Sequence, residues 1–491
     1  MQGELKIYNT YTRSLEVFTP INAPFVGMYV CGPTVYGPPH LGHARGPITF
    51  DVVHRYLKHL GYRVRYVRNI TDVGHLVGDA DEGEDKIAKK ARVEQLEPME
   101  IALLYANSYH DEIGKLNVIP PSIEPLASGH IPEQIEMIEK IIAEGFGYES
   151  NGSVYFDVDK YSKSHDYGKL SGRILEDLIA GAGNETRQLE GQDEKRHPAD
   201  FALWKKAAPE HIMRWNSPWS VGFPGWHLEC SVMSSKYLGN EFDIHGGGMD
   251  LLFPHHESEI AQSTACNHKQ PARYWMHHNM ITINGQKMAK SLNNGINLSD
   301  FYSGDHHLLE KAYTGMTMKF FVLQAHYRGT LDFSNEALQA AEKGLARLFN
   351  AHKLVDGLKT SDSSTSNIQQ VLDNAYAAIN EDFNTPIVIA QLFEGARIAN
   401  SVNDGKETIT ADDKALLKKL FDSFLIEILG LQAEEKGNEG LVDDLMDLII
   451  TLRKDARDKK DWGTSDIIRD RLKDAGVQLK DGKEGTTFSV E

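Results

Sequence analysis

The stretch Cys31-Gly-Pro-Thr-Val-Tyr-Gly-Pro-Pro-His40-Leu-Gly-His43-Ala-Arg45 restricts the fold more than any other part of the chain. Just before it, Phe25 to Val30 is an apolar run of buried-strand length. Just after it, Ile48, Val52, Val53, Tyr56, Leu57 and Leu60 recur on one helical face, and Gly61 stands where a helix would stop. The glycines and prolines between them break regular structure. Strand, irregular loop and helix together open a nucleotide-binding βα unit, with the loop at the strand's carboxyl end and free N–H groups at the helix N-terminus facing phosphate. His40 and His43, three positions apart there, could both donate to one phosphoryl group. A capped core helix with two exposed histidines satisfies the same pattern.

A chain of 491 residues exceeds a single core. The predicted fold class is α/β: a Rossmann-like parallel-sheet catalytic domain split by an inserted module, then a helical bundle and a small mixed α/β module. The expected boundaries are 1–146 and 220–333 for the two catalytic halves, 147–219 for the insertion, 334–431 for the bundle and 441–491 for the last module. Lys86 to Leu116 reads as helix, Trp275 to Ile283 as one alternating strand, and Thr360–Ser366 as a flexible linker by composition. Gly246 to Gly248 would let backbone approach a ligand closely. Gly78 to Asp85, rich in acidic residues, reads as a solvated loop.

No apolar run approaches membrane-spanning length, and the N-terminus lacks the apolar core of a signal peptide. Three cysteines, an odd number, argue against a disulfide framework and for a reducing, cytoplasmic setting. The net charge of −18 argues against indiscriminate coating of nucleic acid, while a local basic face would suffice for a specific RNA.

Pro39-His40-Leu41-Gly42-His43 resembles the HIGH motif of class I aminoacyl-tRNA synthetases, and Lys287-Met288-Ala289-Lys290-Ser291 resembles their KMSKS loop. Their order and separation match that family. The resemblance implies catalysis by His40, His43, Lys287 and Lys290, and ATP contacts from Pro33, Thr34, Pro39, Gly42, Met288, Ala289 and Ser291 as well. Magnesium would accompany ATP. Ala289 stands where the motif has serine, which removes a hydroxyl but keeps both lysines, so a modest rate effect at most is expected.

Cys31, Cys230, His255 and Glu259 offer two thiolates, an imidazole and a carboxylate, a donor set suited to zinc. His255 and Glu259 are i,i+4. Residue types and spacing alone are equally met by a capped helix with two buried free cysteines. Cys266 reads as core, and His256 as a structural or surface residue pointing away.

Three blocks sharpen the resemblance. Tyr29 to Tyr36, Gly225-Trp226-His227-Leu-Glu-Cys230 and Asp243 to Ala261 are similar to blocks specific to cysteinyl-tRNA synthetases. The match runs in order over nearly the whole chain. It implies one zinc per chain on Cys31, Cys230, His255 and Glu259, taking the substrate thiolate as a further ligand. It also implies amino-acid contacts from Thr71, Trp226 and Asp250, and partners ATP, L-cysteine and tRNA(Cys), with a monomer expected. The acidic segment lengthens a loop that is shorter in typical members. Lys460-Asp-Trp462-Gly-Thr-Ser-Asp466 resembles the family's anticodon-reading module, so Trp462 and Asp466 become tRNA-binding candidates.

Two other readings remain at this stage. A cysteine:amine ligase on the same core would not need residues 334–491. An inactive RNA-binding paralogue would not need His40, His43, Lys287 and Lys290 intact.

Overall fold

In the computed structural model, residues 3–76, 85–173, 194–288, 292–433, 438–482 and 485–490 are described. The expectations for residues 78–84, and for Ala289, Lys290 and Ser291, lie outside them; Asp85, the last residue of the expected solvated loop, is instead buried as the N-cap of the helix Lys86–Glu94.

The core sheet is built from β1 (Phe25–Val30), β2 (Arg63–Arg68), β3 (Phe242–Gly248) and β4 (Ala272–His278). All pairings are parallel, in the order β4-β3-β1-β2. The chain leaves β1 toward β2 on one side and pairs β1 with β3 on the other, which opens a crevice at the carboxyl ends of β1 and β3. The Cys31 N–H donates to Gly246 O across that gap at 3.0 Å.

Helix α1 (Leu41–His59) carries the expected apolar face, with Ile48, Val53, Tyr56 and Leu57 fully buried. It also buries Arg45, Asp51 and His54, because the helices at Gly315–Leu323 and Phe421–Ile428 cover its other side. The charges there are satisfied internally. Arg45 bonds the carbonyls of Met280, Tyr327 and Gly329. Lys319 Nζ sits 2.7 Å from Asp51 Oδ2, 2.9 Å from Asn117 O and 3.2 Å from Gly430 O.

The strands Gly147–Ser150, Ser153–Phe156, Phe201–Lys206, Trp215–Asn216 and Val221–Pro224 form an antiparallel sheet, placed in sequence between the two halves of the parallel one. Helices α2 (Leu228–Leu238) and α3 (Glu257–Asn267) follow, flanking β3 in sequence. Ser334 caps the long helix Asn335–Gly357, accepting from the Ala337 N–H, and antiparallel helices complete a bundle ending near Leu431.

Several local expectations change. Lys86 to Leu116 is two helices, Lys86–Glu94 and Pro98–Gly114, because Gln95 turns left-handed (φ 57°) and Pro98 starts a new helix. Trp275 to Ile283 is likewise divided: Ile281–Ile283 leaves the core sheet and pairs with Leu331–Phe333. Thr360–Ser366 is not a loose linker. The Ser361 N–H donates to Ile409 O at 2.8 Å, the Thr410 N–H donates to Ser364 Oγ at 2.8 Å, and Ser366 Oγ donates to Glu407 at 2.7 Å. Its hydroxyls serve as turn and cap partners, a role compositionally identical to a flexible spacer.

The glycine run at the end of β3 also serves packing. A Cβ on Gly246 would lie 2.2 Å from the Phe50 ring, and one on Gly247 would lie 2.6 Å from His256. Side chains of the fold occupy the space over Gly246 and Gly247, while Gly248 borders a cavity as expected.

The chain divides into two compact units, residues 1–432 and 433–491. The second holds helices Asn438–Asp458 and Trp462–Asp474 and an antiparallel hairpin, Val477–Gly482 with Gly485–Val490. Among the described residues, no helix is long and apolar enough to cross a membrane.

Candidate active site and metal centre

His40 is the N-cap of α1, and the two histidines of the motif cap the helix with their own rings. The Gly42 N–H donates to His40 Nδ1 (3.1 Å) and the His40 N–H donates to His43 Nδ1 (3.0 Å). Because both Nδ1 atoms accept, each neutral ring must carry its proton on Nε2. Burial keeps the rings neutral: it lowers His40 and takes His43 to about 3, helped by His40 beside it. The pair is therefore two uncharged Nε2–H donors, not two cations. Gly42 is needed for this arrangement, since a Cβ there would meet His40 and Met288 at 2.9 and 3.0 Å.

The lysine motif reaches the same place through backbone. The Leu41 N–H donates to Ile296 O (3.0 Å), and the Leu298 N–H donates to Pro39 O (2.8 Å). Asn294 Nδ2 holds Lys287 O at 3.2 Å. Lys287 and Met288 thus line one cavity of about 390 Å³ with His40, His43, Pro33 and Thr34.

The floor of that cavity holds the candidate ligands. Cys31 Sγ and Cys230 Sγ are 3.5 Å apart, and His255 Nε2 is 3.4 Å from Cys230 Sγ. Glu259 Oε1 is 3.3 Å from His255 Nε2 and 3.7 Å from Cys31 Sγ. Tetrahedral coordination with ordinary zinc–sulfur, –nitrogen and –oxygen bonds spaces its ligand atoms about 3.3–3.8 Å apart, which these four distances match, and all four ligand atoms lie within 4.8 Å of one another. Burial, with Cys230 alongside, raises the Cys31 thiol well above its usual range, and burial pushes Cys230 up to about 12. His255 is held well below its usual range, chiefly by burial, and so is already in the neutral, ligating form. Burial thus favours the neutral forms of the two thiols and of His255 until a cation arrives to stabilise thiolates.

Supporting groups fix this floor. His245 Nε2 is 2.8 Å from Glu259 Oε2, a hydrogen-bond length too short for two ligands of one ion. It leaves Oε1 facing the thiols. His227 Nδ1 lies 3.1 Å from His255 Nδ1. His256, expected to point away, is fully buried with Nε2 3.2 Å from Cys31 Sγ. Helical phase allows this: His255 is i,i+4 and His256 is i,i+3 to Glu259, and their Nε2 atoms lie 3.3 and 3.9 Å from its Oε1. His245 and His256 crowd the same Cys31 and Glu259, with ligand-capable atoms within 4.8 Å of one another, but the hydrogen bond to Glu259 makes His245 a support rather than a further ligand.

Thr71 and Trp226 line the same cavity, and Trp226 lies 4.5 Å from the His255 ring. Asp250 is exposed at its mouth. Deeper in, Glu229 is buried beside Cys230, its Oε1 bonded by Thr71 Oγ1 and its Oε2 without a hydrogen-bond partner among the described residues. Burial raises its carboxyl well above the usual range, against the Thr71 bond. Nothing in the sequence singles out Glu229, since an acid in a helical pattern reads as surface. In the second unit, Trp462 is 59% exposed, and Asp466 is exposed and 3.0 Å from Arg469.

A model of the tRNA synthetases class I (C) catalytic domain matches residues 17–343, and a DALR domain matches residues 374–434. A cysteine–tRNA ligase of Phocaeicola vulgatus is 60% identical over 495 residues, covering 100% of both chains. One of Chlorobaculum tepidum is 48% identical over 503 residues and covers 99% of each. The solved methionyl-tRNA synthetase of Mycobacterium tuberculosis with methionyl-adenylate shares the fold, with a TM-score of 0.53 at 13% identity, over 82% of this chain and 89% of that one.

Proposed function

The chain belongs to the cysteine–tRNA ligases of class I, enzymes that aminoacylate tRNA, and on that premise we propose how its own residues divide the work. The carboxylate of L-cysteine attacks the α-phosphate of ATP and releases pyrophosphate, and the terminal ribose of tRNA(Cys) then takes the aminoacyl group. No protein nucleophile is required, so catalysis consists of positioning and electrostatic stabilisation. The Nε2–H groups of His40 and His43 donate to phosphate oxygens in the crevice. Lys287, joined by Lys290, offsets charge growing on the leaving pyrophosphate, with magnesium on ATP. Trp226 walls the amino-acid pocket. Thr71 borders it, while Glu229 and Asp250 are the carboxylates available to the substrate ammonium. Trp462 and Asp466 contact the anticodon.

One observation carries the amino-acid assignment: Cys31, Cys230 and His255 line the cavity that both motifs line or back, and with the buried Glu259 their ligand atoms lie within 4.8 Å of one another. A zinc ion there would accept a thiolate far more readily than an alcohol, which separates cysteine from serine where size discriminates only about 10²-fold. A cytoplasmic setting suits the three free thiols.

The test is on purified full-length protein. Zinc is measured by mass spectrometry, pyrophosphate exchange is compared with cysteine and serine, and labelled cysteine is followed onto tRNA. One zinc per chain, strong rejection of serine and transfer to tRNA are expected. Exchange without transfer would favour a tRNA-independent ligase, and a cysteine preference that survives Cys230→Ser would remove zinc from selection.

A further inference from the structure

His75 carries no motif signature, yet it touches three parts of the cavity at once. Its ring lies flat on Trp226, with centroids 4.0 Å apart and planes 9° apart. Within the ring plane, Nδ1 is 2.6 Å from Thr34 Oγ1 and Nε2 is 2.7 Å from Lys86 Nζ. An ammonium group only donates, so Nε2 accepts and the ring proton sits on Nδ1, aimed at the Thr34 oxygen. Lys86 therefore selects the tautomer. Thr34 belongs to a short run tied to Thr71 by backbone: Thr71 N–H to Pro33 O (3.0 Å) and Val35 N–H to Thr71 O (3.2 Å).

We infer that His75 is a positioning residue that locks Trp226 and Thr34 into one unit, with Lys86 setting its tautomer, so that the amino-acid wall and the nucleotide loop are shaped together. The face of the ring does one job and its edge the other. The face fixes the plane of the indole against which the amino acid rests. The edge holds the loop hydroxyl beside the nucleotide. The inference rests on the roles proposed above for Trp226 and Thr34.

Face and edge separate by substitution. His75→Phe keeps a flat ring on Trp226 and removes both nitrogens. His75→Asn keeps a polar group near the Nδ1 position and removes the stack. In cysteine-dependent ATP–pyrophosphate exchange on the full-length, metal-replete chain, His75→Asn should raise the KM for cysteine about 3- to 10-fold with a smaller change for ATP. His75→Phe should do the reverse, raising the KM for ATP about 3- to 10-fold while that for cysteine holds. Lys86→Met, which leaves the ring in place but frees its proton to move to Nε2, should follow the Phe pattern. Zinc content should stay at the wild-type value in all three, because none is a ligand.

Two companion variants keep the outcomes distinct. If Trp226→Ala leaves cysteine KM unchanged, or Thr34→Ala leaves ATP KM unchanged, the roles beneath the inference are wrong and it goes with them. If those two respond while His75→Phe and His75→Asn shift both constants together, or neither, His75 is structural filling and the coupling is refuted.

Discussion

His43 offers the sharpest prediction, because its ring does two jobs with different atoms. Nδ1 accepts the His40 N–H, and Nε2–H faces the cavity. Asparagine places its oxygen near Nδ1 and has nothing near Nε2. Glutamine reaches the Nε2 position and vacates Nδ1. His43→Asn should therefore keep the helix cap and lose the phosphate donor. A hydrogen bond to a charged group is worth about 1.5–3 kcal/mol, so kcat/KM for pyrophosphate exchange should fall about 10- to 150-fold. His43→Gln should keep more activity and lose about 1 kcal/mol of stability with the cap. The pH dependence follows from the same ring. His43 is depressed to about 3 in the fold against 6.5 when unfolded, so the unfolded chain binds more protons between those values and stability falls as pH drops below 6.5. At pH 5 the loss is about 1–2 kcal/mol, the lower end allowing for solvent screening of a half-buried ring, and His43→Asn should escape it. Exchange rates and melts of wild type, Asn and Gln at pH 7 and pH 5 test all of this. Equal activity losses in Asn and Gln would refute the division of labour, and an acid loss as large in the Asn variant as in the wild type would refute the neutral ring, since His40, His54 and His255 contribute their own part to both.

Other predictions concern separate parts of the molecule. Gly246→Ala should cost about 1–3 kcal/mol by overpacking against Phe50, and Phe50→Leu should recover part of it; additive losses in the double variant would deny the contact. Lys319→Met should lower the thermal midpoint by the equivalent of about 1–3 kcal/mol, since Asp51 and two carbonyls each lose a donor while Arg55 stays on Asp51 and on Asn117 O; an unchanged melt would show the site relaxes. Trp462→Ala should weaken tRNA charging by about 1–3 kcal/mol and leave tRNA-independent exchange alone, and a parallel fall in both would assign Trp462 to folding.

What the sequence reveals depends on whether the governing physics is local. The β1 strand, the loop after it and the buried face of α1 follow from apolar spacing and from Gly and Pro placement within forty residues. The meeting of Cys31 with Cys230 and His255 does not, because it depends on which strands pair, and nothing at those positions encodes β1 beside β3. His256 shows a narrower limit: helical phase admits both His255 (i,i+4) and His256 (i,i+3) beside Glu259 and does not choose between them. Glu229 is a polar residue buried against the usual preference, and composition carries no record of such exceptions. Thr360–Ser366 shows the converse, a hydroxyl-rich stretch whose hydrogen-bond partners lie some forty residues away.

The ring-capped start of α1 has a bearing on turnover. A phosphate site built from lysines and arginines holds its anion by charge, and it holds the leaving group as firmly as the substrate. His40 and His43 spend their Nδ1 atoms on the backbone and stay uncharged, so they offer pyrophosphate direction without counter-charge. In the proposed reaction the positive charge comes from the lysine motif and from magnesium that departs with the product. Once pyrophosphate leaves, Lys86 and Lys287 remain on the crevice wall, but neither histidine adds charge that would hold back the exchange of one ligand for the next.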